Sequence, residues 1–311
     1  MKKTAGIHHI TAIVGHPQEN IDFYAGILGL RLIKKTVNFD DPDTYHLYFG
    51  DDAAKPGTII TFFPWTGAAQ GKIGGGQVGV TTYAIPIGTL TYWENRLAKF
   101  TIQYEKTIRF DETYLQFEDY HGLQLELVER AAGQLNNWTF GEVTPDVAIK
   151  GFGGALLYST DPASTIETLQ ETMGLEKVSE ENGLVRLKAY GDLGNIIDIK
   201  KEAVALGQMG VGTVHHIAWR AKDEADHVDW QDHVYKQGYD VTEIKDRNYF
   251  NAIYFREYGD ILFEIATDTP GFTHDEPYET MGHELKLPAQ YENIREQLTK
   301  TLIPIEVKEL D

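Results

Sequence analysis

Two stretches of the sequence share a histidine doublet and decide the fold. They are Gly6-Ile7-His8-His9-Ile10-Thr11-Ala12-Ile13-Val14 near the start and Thr213-Val214-His215-His216-Ile217-Ala218-Trp219 far downstream. Each doublet stands in an apolar run rich in β-branched residues, which is typical of a buried β-strand. Histidine is the commonest metal ligand, so a fold that placed these strands side by side could bring two imidazoles to one metal ion.

The two stretches belong to a unit that occurs four times. First strands of this unit are predicted at residues 7–14, 78–85, 153–159 and 214–219. Each unit reads as strand, helix and three further strands over roughly 60 residues, a length in the usual range for internal repeats. The middle of the last strand is held in turn by Thr61, Glu126, Asp198 and Glu264. The pattern predicts an α+β fold, in which four βαβββ units form two paired cup-like half-barrels.

Gly-rich or polar connectors separate the units at residues 64–77, 131–150 and 201–212. The long connector that contains Asn136-Asn137 is the best domain boundary. We therefore predict an N-terminal pair of units over residues 5–131, a C-terminal pair over 150–268 and an extension over 269–311. Within the extension, the pattern of residues 288–302 predicts one amphipathic helix.

Composition limits the partners and the chemistry. The formal net charge of −19 disfavours binding to nucleic acid, because an acidic surface repels the phosphate backbone. The absence of cysteine excludes disulfides, thiolate metal sites and a cysteine nucleophile, so a bound metal needs imidazole or oxygen ligands. No apolar run approaches the roughly 18 residues of a membrane helix, and no signal segment follows the first lysines. We expect a cytoplasmic protein without membrane partners that is able to form a homo-oligomer.

The way in which the units pair determines the candidate metal site. If units one and four share a cavity, it holds His9, His216 and Glu264, with Thr61 in the fourth place. If units pair in chain order, these groups are split, with His9 and Glu126 in one cavity and His216, Asp198 and Glu264 in the other. The first pairing is favoured because two histidines and one carboxylate form the facial triad of non-haem Fe(II) oxygenases. Strand alternation alone does not decide which histidine of each doublet binds.

The opening His9-Ile10-Thr11-Ala12-Ile13-Val14, together with the segments 20–24 and 28–30, resembles the vicinal oxygen chelate superfamily. This superfamily includes glyoxalases, fosfomycin-resistance enzymes, bleomycin-binding proteins and extradiol dioxygenases. The likeness covers nearly all of residues 5–268 and implies the vicinal oxygen chelate fold. Within the superfamily the chain is most similar to hydroquinone-type ring-cleaving dioxygenases. That similarity implies Fe(II) as the cofactor and His9, His216 and Glu264 as its ligands.

The resemblance also implies further site residues. Extradiol members carry a tyrosine ahead of the ligand glutamate, and Tyr254 fills that place. Catechol-cleaving members carry a histidine shortly before this tyrosine, whereas here Arg247 stands in the region, as in hydroquinone-type members. Tyr254 and Arg247 are therefore the expected catalytic residues, with His215 and Thr11 positioning the ligands or oxygen. The implied partners are O2 and a small hydroquinone-like aromatic, whose ring the enzyme would open in catabolism or detoxification.

Two other functions are compatible with the superfamily. A glyoxalase-like isomerase or lyase would use Zn, Ni or Mn. Such enzymes usually need a second carboxylate ligand, and Thr61 in the fourth place disfavours them. A metal-free protein that binds an aromatic compound or a drug is disfavoured by the histidine doublets, because sequestration needs no metal ligands.

Overall fold

The computed structural model describes residues 2–310, which form the four predicted units and a C-terminal extension. Unit one contains β1 (Ile7–Val14), α1 (Pro17–Ile21) with a π-helical continuation (Asp22–Ile27), β2 (Arg31–Val37), β3 (Tyr45–Gly50) and β4 (Ile59–Pro64). Unit two contains β5 (Gln77–Ile85), α2 (Leu90–Lys99), β6 (Tyr104–Arg109), β7 (Glu112–Glu118) and β8 (Gln124–Glu129). Unit three contains β9 (Gly151–Tyr158), α3 (Pro162–Glu167) with a π-helical continuation (Thr168–Thr172), β10 (Glu176–Glu181), β11 (Leu184–Lys188) and β12 (Ile196–Lys200). Unit four contains β13 (Thr213–Ala221), α4 (Glu224–Lys236), β14 (Lys245–Asp246), β15 (Phe250–Arg256) and β16 (Leu262–Pro270).

Local sequence explains where the helices begin and end. Proline at the first position of α1 fits the site where a missing N–H costs nothing. Gly29 follows the first helix with φ +67°, the left-handed conformation that ends many helices. The Asp161 side chain caps α3 by accepting from the Ser164 backbone N–H at 3.2 Å. Tyr24 holds the first helix against the sheet, with its ring centroid 4.3 Å from that of Phe62.

The strands form two eight-stranded sheets, and each sheet is built from two units. One sheet has the order β14-β15-β16-β13-β1-β4-β3-β2, and the other has the order β10-β11-β12-β9-β5-β8-β7-β6. Units one and four therefore share a sheet, as do units two and three, which confirms the favoured pairing and the predicted fold. The division of the chain into segments 5–131, 150–268 and 269–311 stays a prediction.

The sheet of units two and three encloses a buried network of charges. Arg109 from β6 binds both Glu126 and Asp198, the last-strand acids of these units, with its Nε 2.8 Å from Asp198. Arg186 binds the other oxygen of Asp198 at 2.7 Å. Both carboxylates are almost fully buried. Guanidinium groups thus neutralise the acids in this half of the molecule.

The C-terminal extension packs against the edge strand β2 of the other half-barrel and against the loop that follows this strand. Lys286 N–H donates to the Lys35 carbonyl of the edge strand β2 at 2.9 Å. Buried Lys34 pairs with Asp275 at 2.7 Å and with Glu276 at 2.8 Å. The single helix expected over residues 288–302 is wrong, because a 3₁₀-helix (Ala289–Ile294) precedes α5 (Arg295–Thr301). The Tyr291 hydroxyl, which donates to the Phe39 carbonyl at 2.7 Å, ties this first part to unit one. Within residues 2–310, none of the helices has the length and apolar character needed to cross a bilayer.

Candidate metal centre

The centre of the first sheet brings the two histidine doublets together. β1 lies antiparallel to β13, with Thr11 opposite His216 and His9 opposite Ala218. β16 runs parallel to β13 on its other side and places Glu264 opposite Ala218. Both faces of β1 are covered, and all eight of its residues are buried. Pairing of units one and four thus places three predicted ligands within neighbouring strands.

The side chains of His9, His216 and Glu264 converge on one point. His9 Nε2 lies 3.3 Å from His216 Nε2 and 3.4 Å from Glu264 Oε2, and His216 Nε2 lies 2.8 Å from the same oxygen. One donor atom from each residue lies within 4.8 Å of the other two, and all three residues are buried. Over the part of the chain that the structure describes, no other cluster of three metal-binding side chains meets this distance.

The first histidine of each doublet is the extra residue of a β-bulge. His8 falls between the paired residues Ile7 and His9, and His215 falls between the partners of Thr11 and Ala12. A bulge re-aims the side chains around it. As a result, His8 Nδ1 lies 2.9 Å from His9 Nδ1, and His215 Nδ1 lies 2.8 Å from His216 Nδ1. The first histidines therefore stand behind the second ones and orient their rings.

These hydrogen bonds assign the tautomer of His9. His8 Nε2 lies 3.1 Å from the Thr267 carbonyl oxygen, which can only accept, so this nitrogen carries the proton. Burial, followed by the charge of His9, lowers the pKa of His8 well below its ordinary value. Neutral His8 then accepts at Nδ1 from the Nδ1–H of His9. In the neutral form of His9 the lone pair therefore lies on Nε2, on the side of Glu264 and His216.

The second doublet follows the same pattern. Burial, followed by the charge of His216, lowers the pKa of His215 to about 3. Neutral His215 can therefore accept at Nδ1 from His216 Nδ1–H, which frees the lone pair of His216 Nε2. Burial also lowers the pKa of His216 itself, and Glu264 offsets this only in part. Both imidazoles are oriented by a partner on the far nitrogen, as is usual for metal-binding histidines.

Glu264 supplies an ionised carboxylate that lacks a hydrogen-bond donor. Burial by itself would raise the pKa of this group, but positive charge on His9 and His216 outweighs burial and lowers the pKa well below its usual range. When both imidazoles are neutral, a bound cation would supply that positive charge. Neither buried carboxylate oxygen accepts a hydrogen bond from the described residues. His216 Nε2 approaches to 2.8 Å without the geometry of a hydrogen bond. Buried lone pairs that face each other in this way are stabilised by a cation between them, and the donor set fits a divalent metal ion.

A cavity of about 80 Å³ opens beside the three donor atoms. Its other walls are mainly aromatic or hydrogen-bonding side chains: Thr11, Asn38, Phe39, Asp40, His46, Tyr48, Phe63, Arg247, Phe250 and Tyr254. The Phe250 ring centroid lies 4.9 Å from that of His9. The combination of apolar rings with a few polar groups is typical of a site for a small aromatic molecule.

The structure places the other predicted site residues around this cavity. Arg247 Nε lies 3.4 Å from Tyr254 Oη, and the Tyr254 ring packs edge-on to His216 with centroids 5.8 Å apart. Burial, followed by the charge of Glu264, raises the pKa of Tyr254, so its hydroxyl is protonated at neutral pH. Thr11 lies in the wall next to Thr61, whereas His215 stands behind His216 rather than in the cavity wall.

Several cavity residues escaped the sequence analysis. His46 and Tyr48 come from β3, and Asn38, Phe39 and Asp40 come from the loop that precedes it. His46 and Tyr48 carry hydrogen-bonding groups and are two residues apart within an apolar strand, so their side chains lie on one face. This spacing could have indicated a pair of site residues. The loop residues gave no such signal.

A larger cleft of about 480 Å³ lies elsewhere, but its chemistry is less suited to catalysis. It shares no residue with the metal-binding cluster. Its charges are largely satisfied within the protein. Arg220 pairs with Asp268 at 2.6 Å, and Lys150 caps the carbonyl groups of Arg130 and Ala132 at 2.5 Å each. The smaller cavity therefore remains the candidate site.

Relatives of this chain include proteins that are named as ring-cleaving dioxygenases. MhqO of Bacillus subtilis (strain 168), which is named as a ring-cleaving dioxygenase, is 64% identical over 310 residues, covering 100% of this chain and 99% of that protein. A chlorohydroquinone/hydroquinone 1,2-dioxygenase from Sphingobium indicum is 34% identical over 312 residues, covering 97% of each chain. These relatives match the chain over nearly its whole length.

Solved structures support the same fold. A crystal structure of a Bacillus subtilis protein described as a dioxygenase has a TM-score of 0.99 at 64% identity and covers 100% of both chains. Glyoxalase I from Zea mays has a TM-score of 0.64 at 13% identity, over 90% of this chain and 97% of that one, which is a likeness of fold alone. The model of the Glyoxalase/Bleomycin resistance protein/Dioxygenase superfamily matches residues 6–127 and 151–273. The resemblance in sequence is thereby confirmed, and this chain belongs to the glyoxalase, bleomycin resistance protein and dioxygenase superfamily.

Proposed function

We propose that this protein is an Fe(II)-dependent, extradiol-type dioxygenase that opens the ring of hydroquinone-like aromatics with O2. The observation that carries the proposal is the convergence of His9, His216 and Glu264 at the wall of an aromatic cavity. Two histidines and one carboxylate with open positions are the donor set of non-haem Fe(II) oxygenases. The relatives named as ring-cleaving and hydroquinone dioxygenases support the same reaction class.

The assignment of the three residues as iron ligands rests on their donor atoms. Each imidazole is held by a neighbouring histidine on Nδ1, and Glu264 brings the negative charge. Bound Fe(II) would lower the pKa of a coordinated phenol and pass electrons from the ring to O2. The protein contributes the positions of the three donors and a small cavity that is lined largely by buried side chains.

Tyr254 and Arg247 would act on the oxygen atoms of the substrate. The raised pKa of Tyr254 keeps its hydroxyl protonated, so that it can donate a hydrogen bond to an oxygen that gains negative charge. Arg247 lies beside it and carries a permanent positive charge that suits the second ring oxygen. Phe63 and Phe250 line the cavity and would hold an aromatic ring by stacking.

The glyoxalase-like alternative needs a second carboxylate, and Thr61 stands in its place. The Thr61 hydroxyl lies 2.8 Å from both Thr11 Oγ1 and His46 Nε2, so it belongs to a hydrogen-bonded chain instead. In a metal-free binding protein, a buried carboxylate without hydrogen-bond donors would only destabilise the fold. Both alternatives are thus less consistent with the site.

The test is anaerobic loading with Fe(II), followed by oxygen-electrode measurements with a panel of substituted hydroquinones. We expect bound iron, uptake of one O2 per hydroquinone, and loss of both iron retention and turnover in His216→Ala. The variant His283→Ala changes an exposed histidine in the extension and is the matched control. Iron-loaded protein that consumes no O2 with any hydroquinone, or His216→Ala with full activity, would refute the proposal. Turnover of a hemithioacetal by the Zn-, Ni- or Mn-loaded protein would favour the isomerase instead.

A further inference from the structure

One wall of the cavity carries an unbroken series of hydrogen-bonded side chains, none of which is a proposed metal ligand. Thr11 Oγ1 lies 2.8 Å from Thr61 Oγ1, which lies 2.8 Å from His46 Nε2. On the other side of the imidazole, His46 Nδ1 lies 2.8 Å from Tyr48 Oη. All four residues are buried, and Thr11, His46 and Tyr48 line the cavity. Both ends of the chain therefore reach the space where a substrate would bind.

The sheet fixes these four side chains in register. Thr11 of β1 pairs with Thr61 of β4, and Thr61 pairs with Tyr48 of β3. His46 and Tyr48 are two residues apart on β3, so they share one face. The His46 ring packs between Tyr48 and Phe63, with centroids 4.1 Å and 4.5 Å away. The imidazole is thus held in place at both nitrogens and against both of these rings.

The hydrogen bonds of these four side chains can run in either direction, and both arrangements contain the same number of protons. Burial, followed by the charge of His9, lowers the pKa of His46 well below its ordinary value, so the ring is neutral with one N–H and one lone pair. In the first arrangement Tyr48 donates to Nδ1, Nε2–H donates to Thr61, and Thr61 donates to Thr11, which leaves the Thr11 proton facing the cavity. In the second arrangement every bond is reversed, and the Tyr48 proton faces the cavity.

We propose that Thr11, Thr61, His46 and Tyr48 relay a proton along the cavity wall during ring opening, an inference that rests on the proposed function. A substrate hydroxyl gives its proton to Thr11, Thr11 gives its own to Thr61, and Thr61 gives its own to His46 Nε2. His46 then releases the Nδ1 proton to Tyr48, and Tyr48 gives its proton to a water molecule or a substrate oxygen at the other end. Each member gains one proton and loses one, so the chain passes from the second arrangement to the first.

The overall reaction explains why such a relay is useful. Ring opening adds O2 to the diphenol and no other atoms, so a proton taken from a hydroxyl must return to the product. A reversible chain supplies both transfers without a change in the charge of the protein. The relay also accounts for Thr61 at the repeat position that corresponds to Glu264, because a carboxylate there would bind the metal rather than pass a proton.

His46 is the member that a substitution can test most sharply. Glutamine can keep one hydrogen bond, but an amide does not exchange a proton between two atoms as imidazole does. In iron-loaded His46→Gln we expect iron content and KM within about twofold of wild type, and a kcat at neutral pH that is about 10² to 10⁴-fold lower. The loss should shrink as pH rises, because a hydroxyl already ionised in solution has no proton to hand over. His283→Gln, at an exposed position, should match wild type throughout.

The pH profile separates a relay from a packing role. A kcat for His46→Gln that equals wild type, or that is reduced by the same factor at every pH, would overturn the proposal. If His46→Gln fails to fold or to bind iron, Tyr48→Phe keeps the packing and removes the far end of the chain. It should show the same pH-dependent loss, and an unchanged pH profile in this variant would equally overturn the relay.

A second measurement does not depend on turnover. In metal-free protein labelled with ¹⁵N-histidine, NMR should show His46 with shifts intermediate between the two tautomers. A buried N–H without a partner costs more than a buried lone pair without one, so Tyr48→Phe should fix the Nε2–H form and Thr61→Val the Nδ1–H form. One and the same tautomer in all three proteins would refute the relay. Absence of hydroquinone turnover by the wild type would instead refute the proposed function, and the NMR result would still judge the relay.

Discussion

Replacing His8 by phenylalanine tests whether the first histidine of a doublet prepares the second one for metal. His8 donates to the Thr267 carbonyl at 3.1 Å and accepts from His9 at 2.9 Å. Phenylalanine has a similar shape but no acceptor for the His9 Nδ1–H. Without that acceptor, the His9 ring loses both its fixed tautomer and its fixed orientation. We therefore expect weaker metal binding although no ligand has been changed.

The size of the effect follows from the contacts that are lost. Removal of the hydrogen-bond partner of a metal-binding histidine typically costs 10- to 100-fold in metal affinity, which is about 1.4 to 2.8 kcal/mol of binding free energy. The Thr267 carbonyl also loses its donor, which costs about 1 to 3 kcal/mol of folding stability. The two losses are measured separately, by anaerobic competition against a chromogenic Fe(II) chelator and by urea unfolding of the metal-free protein.

The chain offers a matched control for this substitution. His227 of α4 is also buried, and its Nε2 donates to the carbonyl of Ile265, also on β16, at 2.8 Å. Its Nδ1 has no partner among the described residues. His227→Phe should lower stability by a similar amount and leave iron affinity within about twofold of wild type. Equal affinity losses in both variants, or none in His8→Phe, would refute the reasoning.

Three further outcomes follow from the same contacts. Tyr254→Phe should lower kcat by about 10² to 10³-fold with unchanged iron content, because it removes one hydrogen-bond donor to the oxygen that gains negative charge. Single-turnover kinetics measure the rate, and an unchanged rate would exclude Tyr254 as this donor. Glu126→Gln should cost about 3 to 5 kcal/mol of stability with or without metal, because Arg109 loses a buried partner. Glu264→Gln should in addition lose the increment that metal adds, about 2.7 kcal/mol at 100 times Kd. Urea unfolding with and without Mn(II) compares the two variants, and a metal-dependent loss in Glu126→Gln would contradict the assignment. Metal-free protein should lose stability as pH falls below about 6.5, because these histidines take up protons in the unfolded chain but stay neutral when they are buried in the fold: His8, His46 and His215. For His215 the loss continues to about pH 3. A urea midpoint that is the same at pH 7 and pH 5 would show that these rings are already charged in the fold.

The repeat can be predicted because the first strand of each unit is buried on both faces, and such strands are continuous apolar segments in the sequence. The first strand was expected at residues 7–14 and is Ile7–Val14, and the fourth unit was expected to start at 214 and starts at Thr213. Pairing of units one and four followed from the inventory of ligand types rather than from propensity. Equivalent positions in a repeat carry this kind of long-range information, because the fold places them around one pseudo-twofold axis.

The rest of the site depends on features that a sequence does not encode locally. With unbroken strand alternation, His8 and His215 would lie on the face opposite to the ligands, and the two bulges bring them behind the ligands. His46 lies on β3, and its approach to β1 depends on the curl of the whole sheet. The predicted single helix at 288–302 divides because the Tyr291 hydroxyl is tied to unit one, a tertiary contact that periodicity does not reveal.

The two half-barrels solve one electrostatic problem in two ways. Each sheet buries acids on its last strands, and a buried carboxylate needs a positive partner. Where the first strands carry Thr82 and Gly154, Arg109 crosses from β6 and binds Glu126 and Asp198. Where the first strands carry histidines, no arginine of the described chain contacts Glu264, and its oxygens have no donor. The half-barrel of units two and three thus neutralises its buried acids with its own arginine, whereas the half-barrel of units one and four would need a cation from outside the protein. This difference explains why a duplicated fold has a single candidate metal centre.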